Sequence, residues 1–107
     1  FAGTESRGML LSSDGGDTWS SFAAPLEGEA VNALAVFPDA ELGHRIAIVC
    51  GGQVWLRDGR NDWSARWPEL AESGTEVTAL HAPDGLKPDS QVWLGCLGGE
   101  ILQRTLG

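Results

Sequence analysis

The feature that most constrains this sequence is an internal repeat of about 45 residues. The segment that begins Gly8-Met9-Leu10-Leu11 matches segments that begin at Gly52 and Gly99, with offsets of 44 and then 47 residues. A second match, Val31-Asn32-Ala33-Leu34 with Val77-Thr78-Ala79-Leu80, has an offset of 46, and a Pro-Asp pair follows each copy. Sheet repeats and helical repeats both occur at this period, so the local pattern must decide between them.

The local pattern predicts short strands. The apolar stretches are rich in β-branched and aromatic residues and are bounded by Gly, Pro and Asp, whereas the nearest helix candidate is the brief segment 69–73. Each repeat is predicted to contain four strands, A to D from the inside outward: A at 30–37 and 76–81, B at 45–50 and 91–97, C at 9–13, 53–57 and 100–103, and D, the weakest, at 19–22 and 63–67.

The sequence therefore predicts an all-β fold of β-propeller blades, each with four antiparallel strands and apolar on both faces. The chain holds about two and a half blades. Residues 1–29 are a blade remnant, residues 30–74 a full blade and residues 75–107 an incomplete blade, together forming one partial propeller.

One segment carries a complete motif. Ser12-Ser13-Asp14-Gly15-Gly16-Asp17-Thr18-Trp19 matches the pattern Ser/Thr-x-Asp-x-Gly-x-Thr-Trp at every defined position and lies between predicted strands C and D. It resembles the Asp-box, or bacterial neuraminidase repeat, of the β-propeller superfamily that includes sialidases, xyloglucanases and sortilin-type receptors. The residues that match are Ser12, Asp14, Gly16, Thr18 and Trp19.

The next repeat carries a degenerate box, which keeps Asp58, Gly59 and Trp63 and loses the other defined residues. A turn explains these residue types, because Asp accepts backbone N–H bonds, Gly permits a positive φ, and Trp covers the turn and fills the gap between sheets. We therefore expect both boxes to stabilise turns on the outer rim of a blade. The resemblance implies that they lie away from an active face.

An alternative interpretation of the acidic residues in the boxes is the carboxylate pair of a glycosidase. Such carboxylates flank the scissile bond and lie about 5 to 9.5 Å from each other. Asp14 with Asp17, or Asp58 with Asp62, would be the pairs, but solvated turn acids are the favoured interpretation. A sialidase needs a Tyr nucleophile, and the sequence has no Tyr. No catalytic or metal-binding residues are assigned.

The remaining candidate residues are of types that also occur in packed cores. Trp55, Trp67 and Trp93 are candidate ligand platforms for sugar or peptide, with packing in the core or between blades as the favoured interpretation. Cys50 and Cys96 lie in apolar strands, which favours buried free thiols and leaves a disulfide as the alternative. The histidines, His44 and His81, are interpreted as polar residues at strand ends.

Composition excludes several partners. The formal charge is −8, with 15 acidic and 7 basic residues, and the scattered basic residues predict no nucleic-acid binding. No apolar run has the 18 or so residues that a spanning helix needs, so no membrane insertion is expected. No phosphate-binding loop follows the Gly-Gly pairs, and no cofactor is expected.

The expected function is a non-catalytic Asp-box propeller module, acting as a scaffold or as a surface that recognises protein or carbohydrate. The alternative is a fragment of a sialidase-like or xyloglucanase-like glycoside hydrolase whose catalytic residues lie outside this chain. The resemblance also favours an extracytoplasmic location. Propellers close with about four to eight blades, so the expected partners are further blades, from other copies of the chain or from a longer parent. The expected strand order is B-C-D, then A-B-C-D, then A-B-C, although no range is assigned to the first B strand. These ten strands do not make whole blades, which favours the longer parent.

Overall fold

The protein is described by a computed structural model, which covers residues 1–39, 43–58 and 62–106. It is all-β, with 48% strand and 5% helix arranged as three antiparallel sheets. The elements are β1 (Ala2–Gly3), β2 (Met9–Leu11), β3 (Ser20–Phe22), β4 (Val31–Asp39), β5 (Gly43–Cys50), β6 (Gln53–Arg57), β7 (Ser64–Arg66), α1 (Pro68–Glu72), β8 (Val77–His81), β9 (Gln91–Cys96) and β10 (Ile101–Thr105).

Each sheet is a simple meander of strands that are consecutive in the chain. The first sheet has the order β1-β2-β3, the second β4-β5-β6-β7 and the third β8-β9-β10. This order is the predicted one, with B-C-D, then A-B-C-D, then A-B-C. In the part of the chain described here, no helix is long and apolar enough to cross a membrane.

The 46-residue register of the sequence is reproduced by the backbone. The pairing of β4 with β5 shifts register between Val31 and Ala33, and the pairing of β8 with β9 shifts between Val77 and Ala79. Such an irregularity adds a residue on one strand and increases the local twist. The two copies of the Val-x-Ala-Leu sequence therefore build the same bulged start of a strand.

A two-glycine turn shows why glycine recurs at the strand ends. Gly51 and Gly52 join β5 to β6 with φ of 62° and 77°, the conformation of a type I′ hairpin turn, whose twist matches that of the flanking strands. A Cβ at Gly51 would lie 2.6 Å from Cδ1 of Leu26, and one at Gly52 would lie 2.8 Å from Cγ of Glu76. The positive φ favours glycine at both positions, and a Cβ would also have to displace the neighbouring side chains.

The short helix α1 lies where the sequence had its nearest helix candidate. Pro68 begins it, since the fixed φ of proline suits the first helical position. Trp67, just before it, has a left-handed φ of 50°, and Leu70 is buried. The helix links the second sheet to the third and packs Leu70 into the core between them.

Two apolar clusters separate the three sheets. In β5 the side chains alternate between them: Ile46, Ile48 and Cys50 belong to a cluster that includes Met9 of the first sheet. Ala47 and Val49 belong to a second cluster that contains residues of the third sheet, namely Val77, Val92, Leu94 and Cys96. The second sheet is thus packed on both faces, as the doubly apolar strands predicted.

Candidate functional site

The Asp-box turn is built around the Asp14 carboxylate, between β2 and β3. Oδ1 of Asp14 accepts bonds from the Ser12 hydroxyl at 2.8 Å and from the Thr18 backbone N–H at 2.9 Å, while Oδ2 accepts one from the Thr18 hydroxyl. The Ser12 hydroxyl oxygen in turn accepts the N–H of Gly16 at 2.9 Å. Four of the matched motif residues are thus joined in one local network of hydrogen bonds.

The remaining motif residue, Trp19, covers this turn from outside. Its indole N–H donates to the carbonyl of Gly16 at 3.1 Å, and Gly16 has the expected positive φ, 98°. Within this chain Trp19 fills no gap between sheets, because its side chain is 48% exposed. Its indole nitrogen is instead satisfied by the carbonyl of its own turn.

The hydrogen bonds of the turn favour the ionised form of Asp14. The Thr18 hydroxyl, the Thr18 backbone N–H and the Ser12 hydroxyl lower the pKa of Asp14 from 3.8 to about 2, because donors stabilise the ionised form. Asp14 is therefore a carboxylate at neutral pH. Its oxygens are occupied by donors from the same turn.

The degenerate box has a different length. Leu11 pairs with Ser20 across residues 12–19, whereas Leu56 pairs with Ser64 across residues 57–63, which is one residue fewer. By strand pairing, Met9 therefore corresponds to Val54 and to Ile101. The ungapped matches of Met9 with Gln53 and with Glu100 are wrong within the strands. The spacing from Asp to Trp is the same in both boxes, so the missing residue precedes Asp58.

Trp63 of this second turn has a role that Trp19 lacks. Its backbone N–H is capped by Oδ1 of Asp62 at 2.8 Å, and its indole N–H donates to the Ala23 carbonyl of the connection after the first sheet at 2.8 Å. Trp63 therefore ties the second sheet to the first. Asp58 is partly buried, and Gly59 lies outside the described residues.

The three candidate platform tryptophans lie in three different environments. Trp55 packs in the cluster between the first and second sheets and donates its indole N–H to the Cys50 carbonyl at 3.1 Å. Trp67 packs against the cluster between the second and third sheets. Trp93, by contrast, is 41% exposed on the third sheet, so it has an accessible face.

An aromatic and cationic cluster that the sequence did not indicate lies between the first two sheets. The ring of Phe1 meets those of Phe22 and His44 edge to face, with centroid distances of 5.2 and 5.7 Å. The Arg57 guanidinium lies 4.7 Å from the centroid of Phe22. These side chains line a cleft of about 270 Å³ that also includes Asp58. They come from separate segments of the chain, so no local motif could reveal them.

Both cysteines are buried free thiols, as the favoured prediction held, and burial raises the pKa of Cys50 and of Cys96. Within the described ranges, no three His, Cys, Asp or Glu side chains are grouped so that they could hold a metal ion. Comparisons of the chain with models of protein families, with curated proteins and with solved structures found no match.

Proposed function

We propose that this chain is a non-catalytic module of the Asp-box β-propeller type, which serves as a scaffold or as a recognition surface for protein or carbohydrate. The observation that carries the proposal is the engagement of Asp14 in four local hydrogen bonds with Ser12 and Thr18, counting the 3.4 Å contact of its own N–H with the Ser12 hydroxyl oxygen. In this arrangement the acid of the motif holds a turn.

The charge state of Asp14 supports the same role. A glycosidase needs a general acid with a raised pKa, so that the carboxyl group is protonated when it meets the leaving group. The pKa of Asp14 is displaced in the opposite direction, to about 2. Asp14 is thus suited to accept hydrogen bonds as a carboxylate at neutral pH, and it is a poor proton donor.

Repeated contacts between sheets support the propeller part of the proposal. The N–H of Val31, which begins β4, donates to the Thr4 carbonyl of the β1–β2 connection at 2.9 Å. The N–H of Val77, which begins β8, donates to the Gly52 carbonyl of the β5–β6 turn, also at 2.9 Å. Each A strand is therefore attached in the same way to the preceding sheet, as expected for stacked repeats.

The proposal is tested by assaying the purified chain against aryl glycosides, aryl sialosides and xyloglucan oligosaccharides. We expect no turnover above that of the buffer. Asp14→Asn and Thr18→Val, which remove an acceptor and a donor of the same turn, are expected to lower the melting temperature together. Turnover that is lost in Asp14→Asn while the melting temperature is unchanged would contradict the proposal, because Asp14 would then be a catalytic residue of this chain.

A further inference from the structure

Large apolar side chains are exposed at the two ends of the row of sheets. Among the residues described, the exposed ones are Trp19, in the Asp-box turn of the first sheet, and Trp93, Leu97 and Ile101, on the third sheet and its β9–β10 turn. The described residues of the second sheet contribute none. We call the side of the third sheet that carries Trp93, Leu97 and Ile101 the open face.

The repeat shows what covers this face in the other sheets. Met9, Val54 and Ile101 are equivalent by strand pairing, since their partners across the β1–β2, β5–β6 and β9–β10 pairs are Gly3, Val49 and Gly95. Met9 is 0% exposed and Val54 2%, whereas Ile101 is 74% exposed. Met9 and Val54 are each covered by the next sheet along the chain. The open face therefore continues two interfaces that the chain itself establishes.

The first sheet offers the complementary side. Leu10 is equivalent to Trp55, which packs in the cluster between the first and second sheets. Trp19 is equivalent to Trp63, which donates to the Ala23 carbonyl on the side of the preceding sheet. In the second repeat these positions contact the sheet that precedes it. In the first repeat the same positions lie on the outer side of the row of sheets.

We propose that the first sheet of a second copy of this chain docks, head to tail, on the open face, so that two copies form a ring of six sheets. This inference rests on the proposed propeller type of stacking. Propellers close with about four to eight sheets; two copies of three sheets fall in that range and three copies do not. Each copy contributes three sheets, so two copies contribute six. A longer parent, which the ten strands favour, is the other expected source of sheets, and a monomeric chain would favour it. A head-to-tail interface forms a closed ring when the rotation per copy divides the circle.

The test is the mass of the chain in solution, measured by sedimentation velocity and light scattering from about 1 to 300 µM, a range that brackets micromolar dissociation constants. We expect the mass of a dimer. Ile101→Glu places a charge in the junction and is expected to raise the dissociation constant by more than about tenfold. Trp93→Ser provides a second, uncharged variant. Ala71→Glu, an exposed position on α1, is the matched control and should leave the dimer intact.

Mixing two variants distinguishes the head-to-tail interface from a symmetric interface in which two open faces meet. Leu10→Glu blocks the outer side of the first sheet, so it should also give monomers. A mixture of Ile101→Glu with Leu10→Glu contains one intact open face and one intact first sheet. It should recover mixed dimers that are held by one intact interface and are weaker than the wild-type dimer, which has two. Circular dichroism confirms that each variant is folded.

The inference is overturned by a wild-type monomer at the highest concentration, by a dimer that Ile101→Glu and Trp93→Ser leave unchanged, or by a dimer that Leu10→Glu leaves unchanged. The last result would indicate pairing of two open faces. Failure of the inferred dimer and failure of the proposed function can be distinguished. The dimer is tested by the mass of the chain, and the proposed function is tested by turnover.

Discussion

Leu94 is the residue at which packing between the second and third sheets can be measured most directly. Its side chain is fully buried, and its strand neighbours are Leu80 and Leu102. Replacing it by Ala removes three carbon groups, worth roughly 0.8 kcal/mol each, or about 2.4 kcal/mol in transfer free energy. The cavity that remains raises the expected loss of unfolding free energy to between about 2.5 and 5 kcal/mol.

The assay is urea unfolding followed by tryptophan fluorescence and circular dichroism. With a slope of about 1 to 3 kcal/mol per molar urea, a loss of this size moves the midpoint by about 1 M or more. Leu94→Met is the matched control, since a swap that keeps the volume costs less than about 1.5 kcal/mol. A loss below about 1 kcal/mol for Leu94→Ala, or equal losses for the two variants, would refute the packing of these sheets around Leu94.

Two further predictions concern turns. Asp14 has a folded pKa of about 2, below its ordinary 3.8, so its contribution to stability is present above pH 3.8 and is lost as the pH falls towards 2. The stability difference between wild type and Asp14→Asn in urea should therefore shrink across this window, and a difference that stays constant from pH 7 to pH 2 would contradict the role of the carboxylate. Gly52→Ala should lower the unfolding free energy by more than the roughly 1 to 2 kcal/mol of a left-handed non-glycine residue, because its Cβ would meet a glutamate side chain at 2.8 Å. Gly74→Ala is the matched control, because Gly74 has a similar φ and a Cβ there would have no neighbour within 4 Å. Equal losses of unfolding free energy for the two variants in urea would show that the close contact at residue 52 is relieved without cost.

The strands could be predicted because their signals are local. The bounds of β6 agree with prediction at both ends, and even the weak D strands were placed within a residue or so of Ser20–Phe22 and Ser64–Arg66. Alternation of apolar residues and punctuation by Gly, Pro and Asp act within a few residues. Sequence therefore suffices to predict three antiparallel sheets with this order of strands.

The register of the second box could not be predicted in the same way. Asp58 and Trp63 have the spacing of Asp14 and Trp19, so an ungapped match looks correct along the chain. The shorter turn becomes visible only through the partners of Leu56 and Leu11 across the strands. Pairing depends on hydrogen bonds between segments, which a linear pattern does not record.

The environments of the aromatic residues were likewise beyond the sequence. Trp19 and Trp63 occupy the same place in the motif, yet one indole N–H bonds within its turn and the other reaches Ala23 of a neighbouring segment. The difference arises from which sheet lies beside each turn. The grouping of Phe1 with His44 has the same origin, since the two are brought together only by packing.

The division of the core into two clusters with no residue in common bears on how such a repeat diverges. A substitution in the cluster of Met9 and Ile48 is relieved by neighbours in that cluster. It reaches the cluster of Val49 and Leu94 through the backbone of the second sheet, whose strands β4, β5 and β6 contribute side chains to both clusters. Free-energy changes at sites without shared partners add nearly independently. Each interface can therefore accumulate compensating changes on its own. This independence allows the side chains of successive repeats to become unlike one another while the bulged start of the strand, seen in β4 and β8, is kept.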